Sequence, residues 1–182
     1  MAIYHPPTFI NAYMQDKISE YFSGNPLDGF NGDTTIPFFP TMPTNLEDLM
    51  TTFPNGNGQF AVYDRMFKMR RTPFPHIKSE QLLYYFYATG SNPVPFMIEI
   101  AQKVQDLLDN EDESAQEINT WIQNKQSSDN PLKDDAGNPL PHVFFHRIRV
   151  YQLEETRDLI DFGTARTYAG NKIIIDYDWH KS

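Results

Sequence analysis

The chain has 182 residues, of which 40% are hydrophobic and 14% aromatic, enough to bury on the order of 70% of the unfolded surface in one core. It contains no cysteine, which excludes disulfides, thiol catalysis and cysteine-ligated metal sites. A net charge of −9 argues against nonspecific binding to a phosphate backbone. With no secretory N-terminal pattern and no apolar run near the roughly 20 residues that span a bilayer, we expect one soluble, non-secreted domain over residues 1–182.

The N-terminal segment predicts an amphipathic helix with Thr8 as its N-cap. Gly24, Asn25 and Pro26 end it. Its apolar positions recur near helical spacing and are Ile10, Tyr13, Met14, Ile18, Tyr21 and Phe22.

Residues 25–58 are rich in proline, turn-forming residues and isolated aromatics such as Phe38 and Phe39. Disordered segments are usually poor in phenylalanine. We therefore expect an extended Pro- and aromatic-rich arm that packs on another surface.

Two strands are predicted next, in FAVYDRMFKMR from Phe60 and in HIKSEQLLYYFYAT from His76. The join RRTPFPH holds two prolines, which predicts a hairpin with a wide, basic loop rather than a tight turn. Both faces of the second strand are rich in aromatics, so we expect it to be buried on both sides.

Two helices should follow. The first opens at Ser91 or Asn92 with a proline in its first turn, and its apolar stripe is Met97, Ile100, Ala101, Val104, Leu107 and Leu108. The second is predicted to start at Ser114, because Glu117 three residues on completes a capping-box pattern. It should bury Ala115, Ile118, Trp121 and Ile122.

After a polar, turn-rich loop, VFFHRIRVYQL predicts a third strand. EETRDL is predicted to be a short connection, followed by a long final strand or hairpin in FGTARTYAGNKIIIDYDWHK. This order of elements predicts an α+β fold, an antiparallel or mixed sheet with helices packed on one face, plus the Pro-rich N-terminal arm.

Charge is segregated along the chain. Residues 65–78 hold five basic residues and no acid, whereas residues 99–117 hold seven acids against Lys103 alone. Patches of opposite sign on one subunit suit head-to-tail contacts between copies in a ring. Two solvated faces are the simpler interpretation, and the sequence leaves both open.

No P-loop, dinucleotide-binding, nucleophile-elbow, zinc-protease or EF-hand pattern is present. Asp176, Asp178 and His180 alternate along the last strand, so one face would carry all three as a possible metal site. Ordinary alternation explains them equally: they would form the wet face of a strand whose dry face carries Ile173, Ile175, Tyr177 and Trp179.

Two further groups of residues could carry a function. His142, Phe144 and His146 would share a strand face beside Arg147 and Arg149, which favours surface or interface polar groups over a catalytic pair. The basic hairpin loop could touch DNA through charge and an adjacent aromatic. The acidic net charge favours a protein contact there.

Taken in order, the chain resembles the tail-terminator and sheath-stabiliser proteins of contractile-tailed bacteriophages, whose broader family includes the lambda tail terminator. The resemblance rests on the N-terminal helix, the strand pair FAVYDRMFKMRR and SEQLLYYFYAT, the helix MIEIAQKVQDLLD directly after it, and the C-terminal strand system. It covers residues 59–180 and, more loosely, the first helix. The arm of residues 25–58 departs from the lambda-type pattern.

The resemblance implies a virion protein, assembled in the host cytoplasm, that forms a hexameric ring at the head-proximal end of the tail. It would stop the growth of the tail tube or sheath and dock the head connector. DNA would at most pass through the lumen of the ring. The resemblance implies no catalysis, cofactor or metal. The predicted contact residues are Arg65, Lys68, Arg70, Arg71, Phe74 and His76 of the hairpin, and Phe38 and Phe39 of the arm. The alternatives are a neck or sheath-capping subunit, a metal-dependent hydrolase using Asp176, Asp178 and His180, or an acidic interaction module.

Overall fold

The computed structural model describes the backbone of residues 5–24, 38–39, 58–70, 74–89, 93–161 and 167–182. Side chains are described for residues 5–21, 74–87, 98–151 and 170–182. Within these ranges the chain has the predicted α+β fold, a β-sheet with helices packed against it. Most of the predicted arm lies outside the described residues.

The described strands form one mixed sheet in the order β1-β2-β3-β5-β4. The strands are β1 (Phe38–Phe39), β2 (Gly58–Arg70), β3 (Lys78–Thr89), β4 (Val143–Asp161) and β5 (Thr167–Lys181). The short β1 runs parallel to β2, and every other pairing is antiparallel. The predicted hairpin is confirmed as β2 and β3, while Phe38 and Phe39 of the arm add a short strand to the sheet edge.

The described helices are α1 (Pro6–Gly24), α2 (Pro93–Leu108) and α3 (Glu111–Gln126). Thr8 is not the N-cap of α1, because its N–H already donates to the carbonyl oxygen of His5, 3.0 Å away. Pro6 and Pro7 begin the helix instead. The N–H groups of a first helical turn have no partner within the helix, and proline has no N–H group to leave unpaired. The φ angle of proline is also already that of a helix.

The predicted capping box at Ser114 and Glu117 is also wrong. α3 starts at Glu111, and Ser114 lies inside the helix, where its N–H donates to the carbonyl oxygen of Asn110 at 2.7 Å. Three consecutive acids, Glu111, Asp112 and Glu113, occupy the first turn. Their charges favour a helix start there through the helix dipole.

The core lies between the three helices and one face of the sheet. The predicted stripe of α2 is buried wherever its side chains are described, with Val104 and Leu108 fully so. On the sheet side, the inward residues are Leu82, Tyr84, Phe86, Val143, Phe145, Ile148, Ile173, Ile175, Tyr177 and Trp179. Trp121 of α3, predicted as buried, packs at the margin of this core and is only partly covered.

Polar side chains fasten α1 to its neighbours. Tyr84 of β3 donates a buried hydrogen bond to Asn11, and Tyr21 donates to Glu99 of α2 at 3.0 Å. Trp121 of α3 donates to Asp16 at 3.0 Å. Because each of these bonds joins segments far apart in sequence, the helix layer is held in one orientation on the sheet.

The loop between α3 and β4 is polar and turn-rich, as predicted. Gln126 pins it by accepting from the N–H of Leu132 and donating to the carbonyl oxygen of Leu140, each at 2.8 Å. Asp134 accepts hydrogen bonds from the backbone N–H groups of Asn138 and Ala136. These bonds favour the carboxylate and lower the pKa of Asp134.

The predicted connection at EETRDL is wrong, because residues 154–159 continue β4 to Asp161. Glu154 pairs with Lys172 of β5, and such opposite charges across two strands favour pairing. The register shifts at three places along β4. The third, between Thr156 and Ile160, falls within residues 154–159 and breaks the alternation that would have marked that segment as strand.

None of the described helices is both long and apolar enough to cross a membrane.

Candidate functional site

Three chain segments meet at one end of the sheet. Lys78 at the start of β3 pairs with Trp179, and Val143 at the start of β4 pairs with Lys181. The β2–β3 loop, the beginning of β4 and the end of β5 therefore lie side by side. Residues distant in sequence can form one surface there.

Aromatic and imidazole side chains collect at this end, and we call Phe74, His76, Phe144, His146 and His180 the sheet-end patch. Phe74 is 56% exposed and Phe144 is 42% exposed. The Phe144 ring lies 5.3 Å, centroid to centroid, from the rings of both His146 and His180. Exposed apolar rings among polar groups commonly mark interaction sites.

His146 and His180 contact each other directly. Nδ1 of His180 lies 2.8 Å from Nε2 of His146, so one nitrogen carries a proton that the other accepts. Partial burial lowers the pKa of His180, and the charges of His146 and His76 lower it further. His180 is thus held toward its neutral form.

The predicted shared face of His142, Phe144 and His146 is confirmed, because all three are exposed while Val143 and Phe145 between them are buried. His142 precedes β4. The register shift between Phe145 and Arg147 marks a bulge at the end of this alternation.

Asp178 lies beside the patch and pairs with an arginine. It accepts from Nε of Arg147 at 3.0 Å, and Ser79 of β3 donates a second hydrogen bond to it. Three adjacent strands are joined at this level of the sheet.

Asp176, two residues earlier, is far more buried. It accepts from Nε2 of Gln81 at 2.6 Å and lies 3.7 Å from Nη2 of Arg149. Arg149 also contacts Glu111 of α3, with 2.7 Å between Nη1 and Oε1. Because β4 is the edge strand, Arg149 can reach both the sheet and the helix.

The predicted wet face of β5 is therefore wrong at Asp176, which is only 3% exposed, while the predicted dry face is confirmed. The carboxylates of Asp176 and Asp178 point to arginines, and His180 turns to His146. Within the described ranges, no three histidine or acidic side chains are grouped to hold a metal ion. The hollow beside the two aspartates is too small to admit a water molecule.

Burial of β3 on both faces is confirmed. Leu82 and Tyr84 face the helices, while Leu83 and Tyr87 are buried on the opposite face. Burial there, with the nearby Tyr85, raises the pKa of Tyr87 to about 12.

The structure describes the predicted contact residues to different extents. Phe74 and His76 are exposed in the sheet-end patch, with ring centroids 6.2 Å apart. Arg65, Lys68 and Arg70 lie on β2, where the backbone alone is described, and Arg70 pairs with Ser79 at the same end of the sheet. Phe38 and Phe39 are placed in β1 by their backbone, and Arg71 lies outside the described residues.

Two features of the site were missed from the sequence. Phe144 and His180 meet only because β4 and β5 pair in this register. Glu80, on the inward face of β3, accepts from Tyr177 and Trp179 at 3.0 and 3.1 Å. Lys78, Ser79 and Gln81 surround Glu80 in the sequence, so no local signal marked this acid as buried.

No protein-family model matches the chain, and no curated protein matches its sequence.

Proposed function

We propose that the chain is a non-enzymatic structural subunit that assembles with copies of itself into a ring, a hexamer, at the head-proximal end of a phage tail. There it ends the tail tube or sheath and offers the surface to which a head connector or neck protein docks. A neck or sheath-capping subunit of the same region is the nearest alternative.

The sheet-end patch is the observation that carries this proposal. It exposes Phe74 and Phe144, and β2, the strand that holds Arg65, Lys68 and Arg70, ends at the same end of the sheet. Exposed rings and basic residues at one end of a sheet suit a protein contact, because the rings lose water on docking and the charges favour one orientation. The order of strands and helices agrees with the one on which the resemblance to tail terminators rests.

The rival function, a metal-dependent hydrolase, has less support. A catalytic metal needs free ligands and an open position in a cleft. Asp176 and Asp178 are engaged by Arg149 and Arg147, and the hollow between them is closed.

Light scattering of the full chain at tens of micromolar tests assembly. Six copies of 21.2 kDa give about 127 kDa, and a stable contact should bury roughly 1,600 Å². A protein that stays at 21.2 kDa and also fails to cap purified tail tubes would overturn the proposal.

Charge reversal tests the contact surface. Arg70→Glu with Arg71→Glu should leave unfolding nearly unchanged, since surface substitutions usually cost less than about 0.5 kcal/mol, but should reduce head-to-tail joining in assembled particles. Lys125→Glu with Lys133→Glu is the matched control, an equal charge change on α3 and the following loop. Normal joining with both pairs would mean that the hairpin loop is an ordinary solvated turn.

A further inference from the structure

Two imidazole nitrogens from neighbouring strands converge within the sheet-end patch. Nδ1 of His180 and Nε2 of His146 are 2.8 Å apart. The two ring centroids are 4.7 Å apart and the ring planes are tilted by 31°. The two nitrogens face each other on an exposed part of the protein surface.

Two neighbouring imidazoles can also bind one ion. Nitrogens bound about 2.0–2.1 Å from an ion are roughly 2.9–3.3 Å apart for angles between a right angle and the tetrahedral angle, so the two rings need to move only slightly from their hydrogen-bonded position. Imidazole suits copper, nickel and zinc, and copper(II) binds most tightly to a given set of such ligands.

We propose that His146 and His180 form a two-histidine binding site for a divalent copper or nickel ion, with water in the remaining coordination positions. The site differs from the predicted triad, because Asp176 and Asp178 take no part in it. Its two ligands belong to the sheet-end patch that the proposed function uses as a contact surface, but ion binding by the unassembled chain can be measured whether or not that function holds.

The fold holds both ligands in place. Phe144 pairs with His180 across β4 and β5, and His146 lies on the same side as Phe144 because it is two residues further along the strand. The Phe144 ring lies against both imidazoles at 5.3 Å, which restricts their rotation. Ligands that are already oriented lose little entropy when an ion binds.

Binding requires a tautomer shift. In the free protein one of the two facing nitrogens carries its ring's hydrogen, and that hydrogen must move to the other nitrogen of the same ring before both facing nitrogens can bind the ion. Two neutral rings bind with no net release of a proton and no oxidation or reduction. Because the ligands must be neutral, the affinity should fall as pH drops from 7.5 toward 5.5.

Calorimetric titration of the full chain with copper(II) or nickel(II) tests the site. One ion should bind per chain, more tightly than zinc does. His146→Ala or His180→Ala should weaken binding by about tenfold or more, because one of only two protein ligands is lost. His142→Ala removes an exposed histidine just before β4 and should bind as the unmodified chain does.

Copper(II) electron paramagnetic resonance gives a second readout. The full chain should show two coordinated imidazole nitrogens and each single variant one, with His146→Gln as a further variant should the alanine variant unfold. Equal affinity in the full chain, His146→Ala and His180→Ala, or no saturable binding to any of them, would overturn the proposal.

Discussion

The two faces of β5 are both largely closed to solvent, but by different means. The face toward the helices carries Ile173, Ile175, Tyr177 and Trp179 and is closed by apolar packing. On the other face, Asp176 and Asp178 are covered through hydrogen bonds and ion pairs with Gln81, Ser79, Arg147 and Arg149. Apolar burial needs only matching volume, whereas polar burial needs a specific partner for each group.

This difference predicts unequal responses to mutation. The apolar face should fail when a charge without partners enters it, whereas Glu80 is accommodated there by hydrogen bonds from Tyr177 and Trp179. On the polar face, the loss of stability should depend on how deeply the replaced acid is buried and on how many groups lose a hydrogen-bond or ion-pair partner.

The largest effect is expected in the helix layer over the apolar face. Val104→Asp or Leu107→Asp should abolish folding, since an unpaired charge would be buried at a cost of about 4 kcal/mol or more. Gln102→Asp, on the exposed side of α2, is the control and should cost less than about 0.5 kcal/mol. Normal thermal unfolding of Val104→Asp would mean that α2 is wrongly oriented.

A smaller effect is expected at Asp176. Asp176→Ala removes the partner of Gln81 and one partner of Arg149, and should lower the free energy of unfolding by about 2–3 kcal/mol. Asp178→Ala should cost about 1 kcal/mol or less, because its side chain is 20% exposed against 5% for Asp176. Equal losses in urea unfolding would contradict the difference in burial. Asp176→Asn, which keeps an acceptor for Gln81, separates the charge from the hydrogen bond.

The edge strand β4 gives a third test. Asn119 of α3 donates to the carbonyl oxygen of Phe145 at 2.8 Å and accepts from its N–H at 2.9 Å. It therefore satisfies backbone groups of an edge strand as a neighbouring strand would. Asn119→Ala should cost about 1–2 kcal/mol and speed hydrogen exchange of the Phe145 amide. Thr120→Ala, next to it on the solvent side, should leave that exchange rate unchanged.

The smallest effect concerns pH. The folded pKa of His180 is lowered, so below about pH 6.5 the unfolded chain binds more protons than the folded chain. The free energy of unfolding should therefore fall as pH drops through and below 6.5. His180→Gln should flatten this slope, and His142→Gln should not. An unchanged slope in His180→Gln would show that other groups set the acid response.

Much of the fold could be predicted because its signals are local. The spacing of Ile100, Val104 and Leu107 placed α2 and its buried side. The prolines of RRTPFPH placed the wide hairpin loop, and the aromatic faces of β3 predicted its double burial. The start of α3 was missed because two local signals competed. Ser114 and Glu117 fit a capping box, but the three acids before Ser114 favour a helix that starts at Glu111 and includes Ser114.

The sequence by itself determined the α+β class, the helix stripe of α2 and the apolar face of β5, since periodicity depends only on spacing along the chain. The tertiary structure alone decided that β4 runs on to Asp161, that Arg149 reaches both Asp176 and Glu111, and that His146 meets His180. These depend on strand register and bulges, which are set by pairing between distant segments. A shift of one residue would turn each of these side chains to the other face of the sheet.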